Sequence, residues 1–269
     1  MRNFVTLVIS VLMLGMASAQ SLLVPKLPAK IPFSMTSDLP VVRVTIGERQ
    51  FELLLDLGGY HAIALSTNAL PDVPLTFLKG TDRMRDSNGK VYEARRFVAT
   101  NVSIEGVPVG DLTGGELLPL IVLPKPLKGL IGWGFLKNYL LVFDFNAREL
   151  RLYDRADADA LRRECGTNEF KIEVENGSVV SDFDTEVGRL KFHWDTGSAG
   201  NLLQPGKATD PLLSSSWLRE LRVGSKNMPT TRFDQHEFAR PKTDAVLGTP
   251  FFESHTTCFD FVRRVGAMR

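Results

Sequence analysis

Cysteine and histidine are scarce in this chain, at two and four residues in 269. Two cysteines cannot build a disulfide scaffold. In an oxidising compartment Cys165 and Cys258 can pair or remain thiols, and the sequence leaves both open. His61, His193, His236 and His255 include no i, i+4 pair, so no helical zinc site is expected. Charge of one sign is also missing. Lys and Arg total 32 and Asp and Glu total 31, which gives no basic excess for nucleic acid. No run past residue 19 approaches the roughly 20 apolar residues of a membrane-spanning helix.

What is present starts with a short apolar run, Phe4 to Met16, behind Arg2 and ahead of Ala17-Ser18-Ala19. A basic end, a hydrophobic stretch and a small-residue cleavage site predict a signal peptide over residues 1–19. The expected location is secreted or periplasmic, with no membrane contact after cleavage. "SLLVPKLPAKIPF" carries three prolines, and residues 20–34 read as an extended leader.

Beyond it the signals are those of strands. Val42, Val44 and Ile46 alternate before a turn at Gly47, and Phe170, Ile172 and Val174 alternate before Asn176-Gly177, a two-residue hairpin signal. Helical patterns are few and short. "DADALRREC" and "LLSSSWLREL" are the best candidates. The expectation is a mostly β chain.

The pattern is duplicated. "FELLLDLGG" around Asp56 has a counterpart in "LKFHWDTGS" around Asp195. Each half then carries a second shared feature, "GLIGWGF" and "AVLGTPF". Gly132 aligns with Gly248, an aromatic follows three residues on at Phe135 and Phe251, and a Phe-Asp-Phe triplet begins eleven residues on at Phe143 and Phe259. Two markers in the same order with matched internal spacing predict an internal duplication.

Asp195-Thr196-Gly197-Ser198, set after apolar residues and followed downstream by Val246-Leu247-Gly248, resembles the aspartic peptidase superfamily of pepsin-like and retropepsin-like enzymes. Asp56, Gly58 and the run Leu130-Ile131-Gly132 supply the matching half. The resemblance covers nearly all of residues 35–269. It implies an all-β, bilobal pepsin-like fold, with an N-terminal lobe over 35–155 and a C-terminal lobe over 156–269. It further implies Asp56 and Asp195 as a catalytic acid–base pair, with Gly58, Thr196, Gly197 and Ser198 shaping the loops. The two apolar-apolar-Gly strands would support those loops. Two carboxylates face to face cannot both ionise, so they share a proton, the behaviour for which aspartic proteases are the reference case. One takes a proton from water while the other donates to the scissile carbonyl. No cofactor or metal is implied. The expected partner is a peptide or protein substrate, and a monomer suffices because one chain carries both acids.

Asp56 and Gly132 are 76 residues apart and Asp195 and Gly248 are 53 apart, so the first half holds the longer insertion. It contains Asn88-Gly89 with Tyr92 three residues beyond, where the resemblance implies a hairpin flap. The first loop departs from the family pattern. Leu57 and Gly59 stand where hydroxyl-bearing residues are usual. That departure supports a second reading, a peptide- or protein-binding module that does not cut. A third is a secreted β domain whose acids only cap turns.

Overall fold

The computed structural model describes residues 24–85, 91–117, 123–175, 177–210, 212–237 and 243–269. The expected signal peptide, residues 1–19, lies outside them, as do Asn88 and Gly89.

Strands dominate, and their burial explains their sequence. In Leu39–Ile46 the apolar Val42, Val44 and Ile46 are fully buried, and Gly47 takes φ +59° in the turn to Arg49–Asp56. A left-handed residue in a tight hairpin turn suits glycine. The two strands pair antiparallel, Val44 opposite Phe51.

The described strands form three sheets. An eight-stranded sheet uses first-half strands only. It runs from Ser34–Thr36 through Leu39–Ile46 and Arg49–Asp56 to Leu75–Arg85, and the extra pairing of Leu39–Ile46 with Val91–Ile104 curls it toward a barrel. A nine-stranded sheet is built from second-half strands, with Gly188–Trp194 near its centre. A six-stranded sheet joins the lobes, in the order Ala29–Pro32, Glu149–Tyr153, Leu140–Asp144, Thr257–Asp260, Val265–Met268, Glu169–Lys171. Three of its strands come from each half, so a boundary at residue 155 runs through a shared sheet.

The duplication is exact in this shared sheet. Leu141 pairs with Phe259 and Phe143 with Thr257, while Val142 pairs with Cys258. Each of Val142 and Cys258 lies ten residues after its half's glycine, Gly132 or Gly248, so a local twofold axis passes between them. Arg148 and Arg264, sixteen residues after the same glycines, both take positive φ (+54° and +58°) in the turns that follow. The aromatic rings of the two triplets meet there. Phe143 lies 6.2 Å from Phe259, and Trp194 and Phe252 pack against the same group. These rings belong to a main core that runs continuously through both halves.

Several sequence expectations are corrected. Ala29–Pro32, inside the segment read as a leader, is a strand paired with Glu149–Tyr153, and Phe33 packs on Phe145 at 4.9 Å. The alternation from Phe170 to Val174 is not one strand: Glu169–Lys171 enters the shared sheet and Glu173–Glu175 the second lobe. Across the connection, Glu175 pairs with Ser178, and Gly177 takes φ +79°. The helix expected in "LLSSSWLREL" is absent. Ser215–Leu218 is a strand with Ser216 and Leu218 buried and Trp217 exposed, a period of two that pairing with Thr231–Gln235 imposes. The other candidate is a helix, Ala160–Cys165. It carries Cys165 to Cys258, and the two form a disulfide (Cα–Cα 6.1 Å) that ties the segment between the lobes to the shared sheet.

Candidate active site

Each candidate acid ends a strand at the centre of its lobe. Arg49–Asp56 runs parallel to Gly129–Gly132, with Leu54 beside Leu130, Leu55 beside Ile131 and Asp56 beside Gly132. Gly188–Trp194 runs parallel to Ala245–Leu247, with His193 beside Val246 and Trp194 beside Leu247. The Asp195 N–H then donates to Leu247 O at 3.0 Å. The register is the same in both lobes. Ile131 and Leu247 are fully buried, while Leu130 and Val246 are nearly so. Leu130-Ile131-Gly132 and Val246-Leu247-Gly248 thus run beside the strands that lead to the two acids.

The reason for glycine at 132 and 248 is steric. A Cβ on Gly132 would collide with the carbonyls of Gly59 and His61, three and five residues past Asp56. A Cβ on Gly248 would collide with those of Ser198 and Gly200, three and five residues past Asp195. Each acid's loop crosses directly over its glycine. The crossing is then bonded, as Trp133 N–H donates to Gly59 O at 2.6 Å and Thr249 N–H to Ser198 O at 2.8 Å.

Within each loop the acid is held by its own backbone. Asp56 Oδ1 accepts from Gly58 N–H at 2.8 Å, and Asp195 Oδ1 accepts from Gly197 N–H at 2.9 Å. The two loops meet. A Cβ on Gly58 would stand 2.6 Å from Asp195 Cγ, and one on Gly197 would stand 2.7 Å from Asp56 Cγ. Each carboxylate thus lies against the glycine of the opposite loop, and both acids are half-buried in the gap between the lobes.

The symmetry breaks at the hydroxyls. Thr196 is fully buried, donates to Leu55 O at 2.8 Å and accepts from Leu57 N–H at 2.9 Å. One side chain thereby ties the second loop to the first. Leu57 has no hydroxyl to return the tie, and its side chain is fully buried in the main core instead. Ser198 bonds within its own loop, its Oγ donating to Gly200 O at 2.7 Å. The acceptor is the carbonyl two residues on, a short turn typical of serine.

Two histidines set aside in the sequence lie close by. His193 is fully buried with Nδ1 3.8 Å from Asp195 Oδ2, beyond hydrogen-bond range and electrostatically favourable only when the imidazole is protonated. Alternation on a strand, two residues before the acid, was its sequence signal. His61 Nδ1 lies 3.8 Å from Asp82 Oδ2, and Arg96 Nε lies 3.5 Å from that same oxygen. Burial pushes the His61 pKa below the usual histidine value; Asp82 opposes this and Arg96 adds to it. Asp82 belongs to Leu75–Arg85, the first strand of the long hairpin, so this cluster links the first acid loop to the hairpin. Nothing in the spacing of residues 61, 82 and 96 announces it. Tyr92 pairs with Met84 in the hairpin, with Arg85 and Val91 the next pair.

No protein-family model matches the chain, and no curated protein matches it. Solved structures do. The chain is similar to an aspartic proteinase from Irpex lacteus at TM-score 0.60 and 11% identity, over 89% of this chain and 96% of that one. It is also similar to basic 7S globulin from soybean at TM-score 0.57 and 10% identity, over 89% of this chain and 93% of that one. At such identity the likeness is one of architecture: the chain has the all-β, two-lobed pepsin-like fold.

Proposed function

We propose that the chain is an exported aspartic endopeptidase in which Asp56 and Asp195 activate a water molecule held between them. The observation that carries this reading is the reciprocal packing of the two loops, each acid's carboxylate against the other loop's glycine. The reading needs one ionised and one protonated carboxyl across this contact. The ionised member takes a proton from water, the protonated member donates to the peptide carbonyl oxygen, and the hydroxide equivalent adds to the carbonyl carbon. The residues holding this arrangement are Gly58, Gly197 and Thr196 around the acids, and the strands through Gly132 and Gly248 beneath them.

A location outside the cytoplasm is supported by the signal-like residues 1–19 and by the Cys165–Cys258 disulfide, a bond that persists in oxidising compartments. Among the described residues no helix is long and apolar enough to cross a membrane. A single chain brings both acids, so the reading needs no second subunit.

The second reading, a peptide- or protein-binding module that does not cut, is favoured by Leu57, because among the described residues the Thr196 hydroxyl ties the loops together without a counterpart from the first loop. Cleavage of casein and a peptide library from acidic to neutral pH separates the two. The peptidase reading expects cutting that is lost in both Asp56→Asn and Asp195→Asn. Cutting that survives either substitution rules out the two-acid mechanism. A wild-type protein that binds peptides and leaves them intact is the module.

A further inference from the structure

A cavity of about 430 Å³ lies on the flank of the first acid loop and away from the acids themselves. That volume falls in the range of small-molecule sites. One wall is Trp133, whose backbone N–H holds Gly59 of that loop. Trp133 meets Phe261 edge to face at 4.5 Å, which makes an apolar corner. Three cationic side chains converge on the cavity from separate elements. Lys137 follows the helix Trp133–Leu136, Arg155 follows the strand Glu149–Tyr153, and Arg264 lies in the turn before Val265–Met268.

All three cations are exposed, and among the described residues none has a carboxylate within ion-pair distance. This sets them apart from Arg95, Arg151 and Lys191, each of which meets a carboxylate. The cavity's one acid, Glu173, is already engaged by Lys171 Nζ at 2.5 Å. The lining therefore carries a surplus of positive charge beside an aromatic corner. A singly charged anion with an apolar neighbour fits it. A bare phosphate would leave the aromatic wall of Trp133 and Phe261 unused.

We propose that this cavity binds a carboxylate-bearing ligand, with Lys137, Arg155 and Arg264 on the carboxylate and Trp133 and Phe261 on the adjoining apolar group. Such a carboxylate belongs either to a free organic acid or to the C-terminus of a peptide. The proposal stands whether or not the two aspartates cut.

Calorimetric titration of the full chain with acetyl-Ala-Phe as the free acid and as the amide tests it, with benzoate as the free organic acid. The free-acid peptide is expected to bind about tenfold more tightly than the amide, since only the acid offers charge-assisted bonds. Binding is expected to weaken with salt and to be lost in Lys137→Glu/Arg155→Glu, while Arg189→Glu, a surface change elsewhere, retains it. Saturable benzoate binding at the same residues assigns the site to free acids, and binding of the peptide acid alone assigns it to chain ends. Equal affinity for acid and amide overturns the proposal. So does undiminished binding in the double variant, or saturation by inorganic phosphate with neither carboxylate probe bound.

Discussion

Gly58 lies against the carboxylate of Asp195, so that a Cβ at residue 58 would stand 2.6 Å from Asp195 Cγ. The reciprocal contact, Gly197 against Asp56, has the same form at 2.7 Å. Real Cβ atoms do not approach so closely, and an alanine at either place must push the opposite carboxylate out of position. Gly58→Ala and Gly197→Ala are each expected to lower kcat by about a hundredfold, because small misplacements of reacting groups are costly. Gly206→Ala, where nothing lies within 4 Å, is the matched control. Peptide cleavage rates for the three variants decide it. Full activity in Gly58→Ala would show that the contact leaves the acids free to adjust.

Thr196 is expected to matter more for stability than a single threonine usually does. Thr196→Val strands Leu55 O and Leu57 N–H in a buried place without their partner. The expected loss is about 2–4 kcal/mol, one unsatisfied buried group at each end. Thr196→Ser keeps the hydroxyl and is expected to recover most of it. Denaturant unfolding of both variants measures the difference.

Leu57→Thr combined with Gly59→Ser tests the asymmetry from the other side. Threonine at 57 supplies the missing hydroxyl but removes a fully buried leucine from the core. A Cβ at residue 59 meets the tip of Leu130 at 2.8 Å, a contact the flexible side chain can yield, and stands 3.0 Å from Asp56 Oδ2. The double variant is expected to be less stable by about 1–3 kcal/mol yet faster in turnover. An unaltered rate would mean that the first loop is already well held.

Stability is expected to decline on mild acidification. Burial lowers the pKa of His61, as described above. It also lowers that of His255, with the Phe251 carbonyl opposing and Lys226 adding to the shift. A histidine kept neutral by the fold binds protons more readily when unfolded. Its contribution is intact above the unfolded value near 6.5 and is lost as pH falls toward the depressed folded value. Thermal midpoints are expected to be level above about pH 7 and to drop below about pH 6.5. His255→Gln should flatten part of that slope. Further down, Glu116, held below the usual carboxylate range by its hydrogen bond from Arg95, adds a second loss as it protonates.

The disulfide closes a loop of 93 residues. Cross-linking so long a segment restricts the unfolded chain, and Cys165→Ala/Cys258→Ala is expected to cost about 3–5 kcal/mol. Urea midpoints with and without reductant, and for the double variant, check this. A midpoint insensitive to reductant and substitution would show that the shared sheet holds the lobes unaided.

The sequence alone determined the strand-rich character, the duplication and the position of both acids. These rest on local facts: alternation of apolar residues, Gly at a turn, and the matched distances from Gly132 to Phe143 and from Gly248 to Phe259. Tertiary structure decided what local spacing does not encode. Ala29–Pro32 became a strand because Glu149–Tyr153 offered it an edge, and Ser215–Leu218 because Thr231–Gln235 did. The pairing of Cys165 with Cys258, the meeting of His61 with Asp82, and the convergence of Lys137, Arg155 and Arg264 join residues far apart in the chain. So does the contact that matters most, Gly58 on Asp195. A chain records which side chains it carries, but contacts across 137 residues arise only when two lobes bury their apolar faces on one shared sheet.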